Sequence, residues 1–322
     1  MKTQEYTRKT QNQNPTLDKV KGAVLGFAIG DAMGAPREFS RRPTLRPVLC
    51  YETAFTKGLQ AGQFTDDTQQ LEIALDSLLA YHGEINLDDL GKRLIHWYTS
   101  GEARSIGRTT ESAVRNLMKG VKPSKSGIDH INACGSLAIA RLVPYSLLSA
   151  ISRSDYKIEN NEVGKILGVT HAHKKVKNMG RLFNYFVQEV ANGRTVRETL
   201  DLILFEDEFL NKSIRKKLKE IKDLADSDSC NPREAIQKIG TGGFVEDVVY
   251  SAIFSAIRTV NFHEAVITSA DGEGDSDSRA ALTGTLSGLE TGASKIPAHL
   301  KEELEGNSEL EKKAAKLYYL RK

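Results

Sequence analysis

Glycines at a fixed spacing set the first constraint on this chain. In VKGAVLGFAIGDAMG, Gly22, Gly26, Gly30 and Gly34 recur every fourth residue, and Gly284, Gly288 and Gly292 repeat the spacing in RAALTGTLSGLETG. Residues four apart share one face of a helix, so each segment presents a smooth stripe that another backbone can approach closely. The spacing also resembles a dimerisation motif of membrane helices. Lys21 and Asp31, however, bound an apolar run well short of the about 20 residues that a span requires.

The remaining periodicity is helical. After FTDDT, Leu71, Ala74, Leu75, Leu78 and Leu79 fall on one face before Gly83, and Leu87, Leu90, Leu94, Ile95 and Tyr98 repeat that pattern before Gly101. Further helices are predicted over 105–119, 134–152, 162–168, 174–192, 195–204, 212–225 and 246–259, and the charged segment 300–322 can form another that packs on its own domain. No convincing series of alternating strands is present, so the fold class is all-α. Neither a Pro/Gly/Ser linker nor an internal repeat divides the chain, which favours a single compact multi-helix domain over residues 19–322.

Residues 1–18 are polar and read as a disordered or partner-binding extension. They lack the apolar core of a signal peptide, and no stretch elsewhere approaches a membrane span, so a soluble, reducing, cytoplasmic setting is expected. Lys and Arg number 45 against 42 Asp and Glu, a balance that gives no general pull toward nucleic acid or anionic membrane. Cys50, Cys134 and Cys230 lie far apart and form no CxxC pair, which argues against a disulfide framework or zinc ribbon.

The tetrapeptide DSDS occurs twice. Asp226 and Asp228 sit where a charged helix ends, before Asn231 and Pro232, and read as a solvated turn. Asp275 and Asp277 follow a flexible DGEG stretch and open the second glycine-striped helix. Capping of exposed N–H groups would explain carboxylates there. An EF-hand does not: counting from Asp271 puts Ser276 where the loop glycine belongs and Leu282 where its glutamate belongs. A second oxygen-rich cluster, Thr65, Asp66, Asp67 and Thr68, also opens a helix, and Glu38 stands in GDAMGAPREF. Carboxylates and hydroxyls of this kind suit hard divalent cations, with magnesium favoured over zinc.

The ordered motifs KGAVLGFAIGDAMGAPREF, GQFTDDTQQ, NACGSLAIARLVP, THAH and GDSDSRAALTGTLSGLETGASKIP resemble the ADP-ribosylglycohydrolase family, which includes dinitrogenase reductase-activating glycohydrolases and ADP-ribosyl-arginine hydrolases. The resemblance runs from about Val20 to Pro297. It implies an all-α domain with two magnesium ions in a cleft, manganese being a possible substitute, and hydrolysis of the bond joining ADP-ribose to a protein side chain, arginine being favoured. By motif, the implied metal ligands are Thr65, Asp66, Asp67, Asp275, Asp277 and Ser278. Glu38 lies at the same centre, and either Glu38 or Asp67 manages the proton of the attacking water. Asn132, Gly135 and Ser136 are implied to contact substrate, with the Gly135 and Ser136 amides at a helix start facing the diphosphate. His171 is a further contact, whereas His173 is structural or solvent-facing. Ser278 replaces a commoner Thr and keeps the hydroxyl. Glu273, where glycine is usual, adds a carboxylate beside the centre.

The expected partner is an ADP-ribosylated protein. Two other readings compete: an immunity protein that blocks an ADP-ribosyltransferase toxin through residues 1–18, and a metal phosphohydrolase of free nucleotides.

Overall fold

The computed structural model describes residues 15–40, 48–152, 159–206 and 211–320. Most of the polar extension, residues 1–14, lies outside them. Its expected end at residue 18 shifts, because Thr16 already caps the first helix and Asp18 accepts hydrogen bonds from Ser294 N (2.9 Å) and Ser294 Oγ (2.8 Å).

Among the described residues the helices are α1 (Leu17–Gly34), α2 (Asp66–Ala80), α3 (Leu87–Thr99), α4 (Arg108–Met118), α5 (Pro123–Ser126), α6 (Ala138–Ile151), α7 (Asn160–Gly168) and α8 (Lys174–Ala191). They continue with α9 (Val196–Phe205), α10 (Lys212–Asp226), α11 (Pro232–Ile239), α12 (Val245–Arg258), α13 (Phe262–Ala270), α14 (Ser276–Thr291), α15 (Ala298–Glu302) and α16 (Asn307–Tyr319). Those residues contain isolated β-bridges and no strand, so the all-α expectation holds. None of the helices is long and apolar enough to cross a membrane.

The helices α11 and α13 escaped the periodicity. Both are short and begin at an Asn whose side chain accepts two backbone N–H bonds, and in α11 Pro232 stands in the first turn. A proline that reads as a stop is here the start of the next helix. The helix expected from residue 134 instead starts at Ala138, because Gly135 is held in a bridge to Phe244.

Both glycine stripes belong to central helices. In α1 every residue from Gly22 to Gly34 is buried, and in α14 every residue from Ser276 to Leu289. A helix buried on all sides has no polar face to announce it. The two stripes meet each other. A Cβ on Gly22 would stand 2.2 Å from Gly288 O, on Gly26 2.1 Å from Gly284 O, on Gly30 2.0 Å from Ala280 O, and on Gly34 2.4 Å from Ser276 O. The contact is reciprocal, since a Cβ on Gly284 would meet Gly26 O at 1.9 Å. Around this pair α16 docks through Lys313, which pairs with Glu72 (3.0 Å) and Asp76 (2.9 Å).

Because the clash is with backbone of the facing helix, it cannot be relieved by a rotamer change. Gly26→Ala is expected to cost at least about 2 kcal/mol in urea denaturation. Gly168→Ala, which meets nothing within 4 Å, should stay within about 0.5 kcal/mol of the parent. Equal, small effects at both positions would show that close approach of α1 and α14 is not required.

Candidate active site

The glycine contact positions two acidic elements. Gly34 packs on the first turn of α14, where a Cβ would be 2.5 Å from Asp277 Cα, and Ser276 Oγ donates to Gly34 O at 2.8 Å. A single 3-10 turn, Ala35–Arg37, then delivers Glu38 to the same place. The third element, the start of α2, is tied to α1 by Asp31. This buried carboxylate accepts from Thr65 N (3.0 Å), Thr68 N (2.9 Å) and Thr68 Oγ1 (2.6 Å). Thr68 therefore points into the scaffold, Thr65 caps α2 by accepting from Asp67 N (3.2 Å), and Asp66 and Asp67 face the other carboxylates.

The loop before α14 is over-determined. Gly274 has φ of 78°, and a Cβ there would fall 1.7 Å from Thr241 O; Asp275 N donates to Thr241 O (2.9 Å) and Phe39 N to Gly274 O (2.8 Å). Arg279, fully buried, donates to Ser269 O (2.9 Å) and Glu273 O (3.0 Å), stapling the loop from beneath. Asp275 occupies the N-cap position yet makes no side-chain cap bond. Its carboxylate accepts from Ser136 Oγ at 3.1 Å instead, so capping does not account for it. Glu273 turns outward to Arg233 (3.2 Å), correcting the expectation that it adds a carboxylate to the centre.

Around the centre, Asp67 Oδ2 accepts from Ser278 Oγ at 3.2 Å, and Ser136 Oγ lies 3.2 Å from Ser278 Oγ. Lys57, which sequence reasoning passed over, reaches in from the turn before α2. Its Nζ pairs with Glu38 and lies 3.4 Å from Asp277 Oδ2. The charges are crowded: burial, then the neighbouring carboxylates, pushes Asp66, Asp67 and Asp275 well above the usual carboxylate range. Burial and Asp277 push Glu38 up to about 8, and burial and Asp277 push Asp31 up to about 6. For Lys57 burial acts downward, but Asp277 and Glu38 outweigh it and hold the ammonium charged.

The NACGS segment differs from expectation. Ser136 N donates to Gly243 O at 3.2 Å, so this amide is committed within the protein, and Ser136 meets the centre through its hydroxyl. Gly135 lies beside His171, whose Nε2 would be 3.3 Å from a Cβ at that position. Asn132 is exposed on the preceding loop. His171 is buried, and burial followed by Arg141 pushes it down to about 3, so it is neutral. Arg141 donates to Gln70 Oε1 (2.5 Å) and to Thr170 Oγ1, leaving the Thr170 hydroxyl proton for His171 Nδ1 at 2.8 Å. That chain of donors keeps the His171 proton on Nε2, the atom facing Gly135. His173 caps α8 by accepting from Lys175 N and lies 3.0 Å from Cys134 Sγ, in line with a structural role.

The DSDS copy at Asp226 is placed quite differently. Asp226 ends α10 and pairs with Arg197 at the surface, with 45% of its side chain exposed.

The donor set suits a hard cation. Glu38, Asp275 and Asp277 offer oxygens within 4.8 Å of one another, all from carboxylates, with hydroxyls of Ser278 and Ser136 alongside. Asp31 and Arg141 were detectable as lone charges inside apolar runs, LGFAIGDAMG and LAIARLVPYSLL. Lys57 carried no such signal.

The fold is shared with a solved structure titled "ADP-ribosylglycohydrolase-related protein complex", at a TM-score of 0.77 and 23% identity, covering 95% of this chain and 99% of that one. The chain belongs to the ADP-ribosylglycohydrolase family, whose model matches residues 12–322. It is similar to the ADP-ribosylarginine hydrolase Tri1 of Serratia proteamaculans, 27% identical over 96% of this chain and 81% of the relative. It is also similar to the ADP-ribosylhydrolase ARH3 of Danio rerio, 25% identical over 94% and 91%. The chain is thus an enzyme of the ADP-ribosylglycohydrolase class.

The raised carboxyls dictate a pH dependence. Glu38 moves from 4.5 to about 8 and Asp31 from 3.8 to about 6. Over that window the folded state holds protons that the unfolded chain has released, so stability falls as pH rises. Urea denaturation in chelator across about pH 5 to 8 should show this decline. A flat profile in chelator would contradict the charge crowding.

Proposed function

We propose that this enzyme hydrolyses the N-glycosidic bond between ADP-ribose and a modified protein side chain, arginine foremost, with two magnesium ions. The observation that carries the reading is the convergence of Glu38, the Thr65–Asp67 helix start and the Asp275–Ser278 helix start in one largely buried, oxygen-rich cluster. The ligand set is Thr65, Asp66, Asp67, Asp275, Asp277 and Ser278. When bound, the ions orient the ribose hydroxyls and acidify water. The name of the Tri1 relative favours arginine as the linkage.

Of the two carboxylates able to take the water proton, Glu38 is better placed. It is part-exposed and titrates near neutrality, whereas Asp67 is buried and accepts from Ser278. Water oxygen bonds to the anomeric carbon, the carbon–nitrogen bond breaks, and the proton held by Glu38 ends on the departing nitrogen. Positive charge building on the sugar is stabilised by the surrounding carboxylates. Gly135, the Ser136 hydroxyl and neutral His171 Nε2–H line the approach for the rest of ADP-ribose, with Asn132 at its outer edge.

The test is product analysis by mass spectrometry on an arginine-ADP-ribosylated protein. Intact ADP-ribose should appear with magnesium and not with chelator. Asp277→Asn should lower turnover by at least about 100-fold, and Asp226→Asn should leave it unchanged. Release of phosphate would replace this reading with phosphohydrolysis, and equal loss in both variants would remove the site assignment.

A further inference from the structure

Lys57 sits at the tip of a short turn. The turn closes on itself through Ala54 N to Leu59 O (2.9 Å), Leu59 N to Ala54 O (3.2 Å) and Lys57 N to Ala54 O (3.0 Å). Ala54 and Leu59 are buried against Ala35, three residues before Glu38 in the chain, so the base of the turn is fixed beside the centre. The tip is free of packing: Phe55 is 88% exposed, and a Cβ on Gly58 would meet nothing within 4 Å. Only the Lys57 side chain turns inward, where it bonds Glu38 and lies near Asp277, two of the three carboxylates whose oxygens can share one ion.

An ammonium and a divalent cation brought to the same two carboxylates repel one another and compete for the same negative charge, so each weakens the other's hold. We propose that Lys57 is a tethered counter-ion that competes with a divalent cation for the Glu38–Asp275–Asp277 pole, and that loading this pole requires the Lys57 side chain to withdraw. There is room for it: a cleft of about 270 Å³ lined by Thr56, Lys57, Leu59, Thr65, Arg104 and Ser105 adjoins the turn. The exposed tip can move without uncovering core. Lys57 thereby neutralises part of the buried charge before a cation arrives, and sets how tightly that cation is held. The inference rests on the metal-centre reading above.

The test compares the full chain with Lys57→Met and Lys57→Arg by titration calorimetry with magnesium and manganese, and by thermal melts in chelator and in saturating magnesium. Lys57→Met should bind the cation about tenfold more tightly or better, because the competitor is gone; Lys57→Arg should stay near the parent. In chelator Lys57→Met should melt below the parent, and the gap should close with magnesium. A melting gap that is the same in both conditions, or affinity that is unchanged or weakened in Lys57→Met, would overturn the proposal while leaving the metal centre intact. No cation binding by parent or variant would overturn both.

Discussion

The backbone contact between α1 and α14 is the constraint on which the rest depends. Glycine O and Cα atoms of one helix press on those of the other with no side chains between them, as the reciprocal 2.1 and 1.9 Å clashes at Gly26 and Gly284 require. At this separation the relative register of the helices is fixed by backbone shape, a stiffer determinant than interdigitating side chains. The last glycine of the α1 stripe therefore lands on the first turn of α14, and Asp277 falls next to the turn that carries Glu38. Packing of the core and placement of the acids are one event.

Such a centre conflicts with the interior that holds it. Asp31, Asp66, Asp67, Asp275 and Asp277 are all buried, and like charges in a dry site repel. The protein answers with cations at three sides: Lys57 at the mouth, Arg141 beneath Asp67, and Arg279 under the 273–275 loop. The two arginines are locked by carbonyl, amide and hydroxyl acceptors, whereas Lys57 is held by the carboxylates of Glu38 and Asp277. The arrangement separates permanent structural charge from exchangeable charge. Local conflict of this kind is expected at functional sites.

Much of this was legible in the sequence because it is periodic or local. Leucines at helical spacing predicted α2, α3 and α9 to within a few residues, since an amphipathic face needs only its own neighbours to be recognised. The acidic helix starts were visible for the same reason. What stayed hidden is what depends on residues distant in the chain. The partner of each glycine stripe lies more than 240 residues away in contacts such as Ser276 to Gly34, and nothing in either segment names the other. Lys57 reads as an ordinary loop lysine until the turn folds over Glu38. The Ser136 amide looked available until Gly243, far along the chain, accepted from it.

The two DSDS copies make the point most sharply, for their local chemistry is identical. At Asp226 the preceding helix is polar on one face, Ser227 follows in extended backbone, and the exposed carboxylate pairs with Arg197. At Asp275 the four residues before it form a loop held by Arg279 and Thr241, and the helix after it is buried on every side. The carboxylates there have no solvent to turn to. They crowd together because the backbone, pinned by the glycine contact, leaves them no other direction, and the oxygens they present side by side are a consequence of that confinement.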